Sequence, residues 1–136
     1  GANGIVQGAA PGLIVTDAST SRPEDSEKLG AELAQRGIRF LDACVSGTSA
    51  MAWKKDLIVI AGGSAEDFEA SKPLFAGFSR AAYHMGVVGS GARAKLVINL
   101  VLFGNRLALA EGAGRAVEHR CAGRRSAVDS SACRRG

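Results

Sequence analysis

Lys95 and Asn99 stand four residues apart in a stretch without proline, so a helix there would turn both side chains to one face. A lysine held beside an alkoxide or carbonyl oxygen can give or take a proton while a hydride moves, provided burial lowers its pKa. The asparagine could hold a substrate hydroxyl or orient the lysine. A lone lysine on a helix is ordinarily a solvated charge, so its surroundings must decide. Two further stretches carry residue types suited to binding. Asp17-Ala18-Ser19-Thr20 puts two hydroxyls at the end of an apolar run, where ligands of open α/β sheets bind. Equally, Ser19 or Thr20 could cap the next helix. Val45-Ser46-Gly47 ends a second apolar run, and a loop of small residues exposes backbone N–H groups that can hold a carboxylate. An isolated Ser-Gly pair is more often an ordinary tight turn.

Other reactive side chains carry less. Cys44, Cys121 and Cys133 are odd in number and lack a Cys-x-x-Cys spacing. His84 and His119 are not spaced with cysteines or acids as ligands are, so neither a disulfide framework nor a metal site is expected. Cys44 has no histidine close in sequence and reads as structural, not as a nucleophile. Trp53, beside Lys54 and Lys55, is a single aromatic and too little for a binding surface.

The elements that must position these groups alternate in type. Leu13-Ile14-Val15 is a short apolar strand behind Pro11-Gly12. Ser19 to Asp25 then reads as a helix start, with Pro23 and acids in the first turn. That helix carries Leu29 and Leu33 and stops at Gly37. A second strand covers Ile38 to Val45, followed by a loop from Ser46 to Ala52. Leu57 to Ala61 is a third strand, ended by Gly62-Gly63, and Ser64 caps a helix bearing Phe68, Leu74 and Phe75. Ala81 to Met85 is a fourth strand. From Ala92 to about Val117, Leu96, Leu100, Phe103, Leu107 and Ala110 recur at helical spacing. That helix would be about 26 residues, or roughly 39 Å long, too long for so small a domain to cover on one side. The alternation predicts an α/β layered fold with a mainly parallel sheet.

The chain of 136 residues suits one core, and its 46% apolar and 22% charged residues are an ordinary globular balance. No run of 18 apolar residues occurs, so no membrane helix is expected. Gly1 to Ala10 lacks the pattern of a signal peptide, and a cytoplasmic protein is the expectation. Residues 1–118 are charge-balanced, and the net +4 comes from five arginines against Asp129 in residues 119–136. That segment has no aromatic residue, Leu, Ile or Met and reads as a solvated, disordered tail; a nucleic-acid role ranks last.

Taken together, Asp17 to Pro23, Phe40 to Gly47 with Gly62-Gly63, and Gly86 to Asn99 resemble, in order and spacing, the β-hydroxyacid dehydrogenases, the family of 3-hydroxyisobutyrate and 6-phosphogluconate dehydrogenases. The resemblance runs from about Gly4 to about Glu111. It implies a partial Rossmann-like sheet, the second half of a dinucleotide-binding domain, over residues 1–91. A long interdomain-type helix would follow over 92–118, then the basic tail over 119–136. It further implies that Lys95 is the catalytic acid/base, that Ser46, Gly47 and Asn99 bind substrate, and that Thr20 contacts a nicotinamide cofactor, NAD or NADP. Cys44 stands where the family usually has proline, and Thr48 where it has a second glycine, a change that would narrow the anion pocket.

A complete member opens with a strand, Gly-x-Gly-x-x-Gly and a helix. Nothing like it precedes Gly4, and Gly89-Ser90-Gly91 has only two of the three glycines. Roughly the first 90 residues of such a protein are expected to be absent. The chain therefore reads as a fragment of an NAD(P)-dependent 3-hydroxyacid dehydrogenase, inactive alone unless an oligomer rebuilds the cofactor site. The alternative is a non-catalytic module for a small carboxylate or a protein partner. An exposed sheet edge and the protruding helix predict a homodimer or higher oligomer.

Overall fold

A computed structural model describes the backbone of residues 4–132 and the side chains of residues 4–117. A short 3-10 turn, Ile5–Gln7, precedes strand β1, Ile14–Asp17. Helix α1, Pro23–Ala34, starts with proline and has Glu24 and Asp25 in its first turn, where acids favour the helix dipole. It stops just short of Gly37, whose φ of 68° is left-handed. Strand β2 is Arg39–Ser46, helix α2 Ser49–Trp53, and strand β3 Leu57–Gly62. Helix α3, Ala65–Phe75, is capped by the Ser64 hydroxyl, which accepts from Asp67 N at 3.0 Å. Strand β4, Ser79–His84, and helix α4, Ser90–Ala132, complete the order.

The sheet runs β1-β2-β3-β4. β1 and β2 are parallel, as are β3 and β4, but β2 and β3 are antiparallel, with Cys44 opposite Ile60. The sheet is mixed where the alternation of elements predicts a mainly parallel one. Residues 47–56 hold only a five-residue helix, too short a connection for a parallel crossover. This α2 replaces part of the expected loop; Thr48 caps it, its hydroxyl accepting from Met51 N at 3.4 Å.

The two faces of the sheet differ. On one, Leu41, Ala43, Val59 and Ala61 pack against Phe68 and Phe75 of α3. On the other, Phe40 packs with Ile38 and Leu33 of α1, flanked by Val15 and Val88. Arg39 ties the entry of β2 to its surroundings, pairing with Asp67 at 3.0 Å and donating to Gly12 O.

Helix α4 begins two residues before the expected start and runs to Ala132, fifteen residues beyond Val117 and into the segment read as an unstructured tail. Residues 113–127 hold four alanines and four arginines and no proline, a composition that favours helix without a core. Residues 133–136 lie outside the described backbone. The chain divides into two compact units, Gly1–Ile98 and Asn99–Gly136. The division falls inside α4, and Gly91, Ala92 and Lys95 of its first turns are buried. The stretch Ser90–Val117 is also long and apolar enough to cross a membrane by length and composition. Counting an unbroken apolar run missed this, since Asn99, Gly104, Asn105 and Arg106 interrupt it.

Candidate functional site

Side chains alternate along a strand, so Phe40, Asp42, Cys44 and Ser46 share the α1 face of β2. Asp42 is a carboxylate in the middle of an apolar strand, 1% exposed. A charge there must be met by partners. Its Oδ1 accepts from Gly89 N at 2.9 Å and its Oδ2 from Ala92 N at 2.7 Å. Both donors lie at the start of α4, where the first turn of any helix leaves amides without partners. Gly89, φ 89°, has no side chain with which to cap the helix, and Asp42 supplies the cap from β2.

Two glycines let that helix sit directly on the strands. A Cβ on Gly91 would stand 2.5 Å from Asp42 O and 2.7 Å from Ile60 O. One on Gly62 would meet Val87 O at 2.6 Å and Gly91 N at 2.8 Å. Backbone therefore touches backbone at this seat. Gly91 faces the sheet, and the residue one turn later on the same side is Lys95. It is 8% exposed, the one buried basic side chain among the described residues. Arg93, two residues before it, turns outward and pairs with Glu27 of α1 at 2.5 Å.

Lys95 faces Cys44. The Cys44 thiol is 0% exposed and donates to Ser19 O at 3.1 Å. Burial pushes its pKa up, Asp42 and Asp17 push it further, and the Lys95 ammonium pulls it back down. One thiol is thus within electrostatic reach of Asp17, Asp42 and Lys95. Asp17 pairs in register with Asp42 and accepts hydrogen bonds from Ser19 N, at 2.9 Å, and from the Ser19 hydroxyl.

The structure brings part of the sequence-derived set together. Ser19, two residues past β1, accepts a hydrogen bond from Cys44, and Lys95 lies within electrostatic reach of the same thiol. Thr20 is exposed and Ser46 half-buried, each at the carboxyl end of its strand. Neither Ser19 nor Thr20 caps α1: the residue before that helix is Arg22, which makes no side-chain cap. Gly47 is exposed at φ 138°, and a Cβ there would stand 2.5 Å from Leu57 Cδ2, so that turn needs glycine. The Thr48 hydroxyl, expected to narrow an anion pocket, is engaged at α2. Asn99 is half-buried and is the first residue of the second unit.

The connection 86–91 is no free phosphate loop: Gly89 N and Ala92 N donate to Asp42, and Ser90 N donates to Val87 O at 3.0 Å. Asp42 itself was not singled out by sequence reasoning. Its signal was a lone acid inside an apolar strand, followed by glycines whose close approach to that strand only the fold reveals. Elsewhere, His84 stacks on Phe68 at 5.2 Å and bonds Gly63 O at 2.9 Å. Trp53 is 91% exposed. No metal-binding group of His, Cys, Asp or Glu occurs among the described residues.

Residues 1–89 match the model of the NAD binding domain of 6-phosphogluconate dehydrogenase. The NAD-dependent L-serine dehydrogenase of Pseudomonas aeruginosa is 35% identical over 120 residues, covering 85% of this chain and 40% of that protein. The cytokine-like nuclear factor N-PAC of Xenopus tropicalis is 33% identical over 112 residues, 82% of this chain and 21% of that protein. Among solved structures, the Mycobacterium tuberculosis 3-hydroxyisobutyrate dehydrogenase with L-serine superposes with a TM-score of 0.76 at 29% identity, over 79% of this chain and 37% of that one. The chain spans 40% or less of the length of each of these relatives.

Proposed function

This chain belongs to the family of the NAD binding domain of 6-phosphogluconate dehydrogenase, and on that premise we propose that it supplies the substrate side and the catalytic lysine of an NAD(P)-dependent 3-hydroxyacid dehydrogenase, similar to 3-hydroxyisobutyrate dehydrogenase. The observation that carries this reading is Lys95, buried and within electrostatic reach of Cys44 instead of solvated. Ser46 and Gly47 hold the substrate carboxylate and Asn99 its hydroxyl. Lys95 Nζ takes the hydroxyl proton as the carbinol carbon gives up its hydride, and returns it in the reverse direction. A nicotinamide cofactor, when bound, accepts that hydride, and Thr20 contacts its reactive end. The dehydrogenases of L-serine and of 3-hydroxyisobutyrate named among the relatives share a hydroxyl on the carbon β to a carboxylate, which is the substrate class proposed.

The residues fit the nicotinamide end of such a cofactor and not its phosphates, because the amides of the 86–91 turn are engaged within the fold. The 136 residues alone are accordingly expected to turn over slowly or not at all. Leu100, Val101, Phe103, Leu107 and Leu109 of α4 are exposed, an apolar surface suited to a second copy of the chain in a cytoplasmic oligomer. A monodisperse monomer in light scattering, or recovery with the membrane fraction, would overturn that part.

A second reading, a non-catalytic binding module, draws on the N-PAC relative, whose name is that of a nuclear factor and not of an oxidoreductase. Calorimetric titration with NADH and NADPH, with Lys95→Ala in parallel, separates the two. Micromolar binding supports the dehydrogenase reading. No binding by the chain or its oligomer favours the module, to be followed with small carboxylates.

A further inference from the structure

We propose that Asp42 is the positioning residue of this site: its carboxylate stands in for the cap side chain that α4 lacks and so fixes where Lys95 stands. This inference rests on the assignment of Lys95 as the acid/base. Three independent features of the structure support it. The first is occupancy: both oxygens are engaged, at 2.9 and 2.7 Å, by the amides of Gly89 and Ala92. The second is the glycine pair. Gly62 and Gly91 bring the first turn of α4 down to backbone contact, where a Cβ would stand 2.5 Å from Asp42 Oδ1 or Asp42 O. A lateral slip of the helix is therefore resisted from both sides.

The third is charge. Two of the buried ionic side chains among the described residues, Asp42 and Asp67, are acids, and Lys95 is the basic one. Asp67 has Arg39 as its partner at 3.0 Å. Asp42 has the positive end of α4, through the amides of Gly89 and Ala92. A carboxylate so buried fixes a direction as well as a distance, because its two oxygens must face two amides that lie three residues apart. Lys95 follows Ala92 by three residues on the same helix, so a shift of the cap moves the amine with it.

The test is competitive acetylation of the full chain with acetic anhydride across a pH series. The rate at Lys95 is read against Lys28 and Lys72 in the same molecule, and amide hydrogen exchange is followed alongside. Asp42→Asn keeps the shape and loses one acceptor. Lys95 should then acetylate about tenfold faster relative to the reference lysines, with a shifted pH midpoint, an effect of the size of a lost cap. The Gly89 and Ala92 amides should lose protection while those of α3 keep theirs. An unchanged Lys95 rate and midpoint, with the two amides deprotected, would make Asp42 a cap and nothing more, and overturn the proposal. Should Asp42→Asn unfold, Asp42→Glu, which keeps the charge but displaces it by one methylene, is read in the same way. Failure of NADH and NADPH to bind would favour the binding-module reading and leave the acetylation result standing.

Discussion

The two faces of β2 are built on different principles. One face presents Leu41 and Ala43 to Phe68 and Phe75 in an apolar cluster. The other, which carries Cys44 and Ser46 as well, presents Asp42 to the start of α4, with glycines in place of bulky side chains. The first gains stability from apolar area and tolerates reshaping. The second holds a few groups at defined distances and has little slack. Alternate residues of one eight-residue strand thus divide the work between holding the fold and placing the amine.

That contrast can be broken in order of expected effect. Phe75→Ala removes the largest fully buried side chain and should cost about 3–5 kcal/mol in denaturant unfolding, with Lys95 acetylation of the folded fraction unchanged. A loss below about 1 kcal/mol would show that the α3 face is not where stability resides. Gly91→Ala should cost about 1–3 kcal/mol, since the new carbon meets backbone that cannot turn aside, and should raise the Lys95 acetylation rate. A variant with wild-type stability and labelling would contradict the close seat. Ser64→Ala should cost ~1 kcal/mol through the lost α3 cap and leave Lys95 untouched; any change in Lys95 reactivity would mean the two faces are coupled.

The smallest effect is one of pH. Burial raises the Cys44 pKa, with Asp42 and Asp17 adding and Lys95 opposing. The folded chain therefore keeps that proton at a pH where the unfolded chain has lost it. The stability it contributes is complete below ~8.5, the ordinary value of the thiol, and is lost as pH rises through the raised one. In a Cys121→Ser, Cys133→Ser background, Cys44→Ala should show a shallower alkaline decline than the chain retaining Cys44. Equal slopes would mean that Cys44 titrates as it does in the unfolded chain.

Much of this arrangement was legible in the sequence where local chemistry decides it. Apolar runs marked all four strands to within a few residues, Ser64 announced its helix, and Gly37 its helix end. Lys95 was singled out by its place in a motif, and the fold buries it. What could not be read depends on contacts between distant residues. Asp42 looks like any acid until Gly89 and Ala92, 47 and 50 residues on, arrive above it. The reversal between β2 and β3 was present as a short connection, but strand direction is not a property of a strand's own residues. The extent of α4 was underestimated because its far part has helix-forming residues without the apolar repeat that marks a buried helix.

The reversal at α2 has a consequence in handedness. Crossovers between parallel neighbours turn to the right, and each half of the sheet, β1-α1-β2 and β3-α3-β4, is one such crossover stepping in the same direction. Because the second pair of strands points the other way, the same hand carries its helix to the opposite side. α1 therefore packs with Phe40 and α3 with Leu41, neighbours on one strand. A uniformly parallel sheet stepping in one direction would stack both crossover helices on one side. Here the second half leaves the α1 side of β3 bare, and that vacancy is where α4 lands, over Ile60 and Gly62.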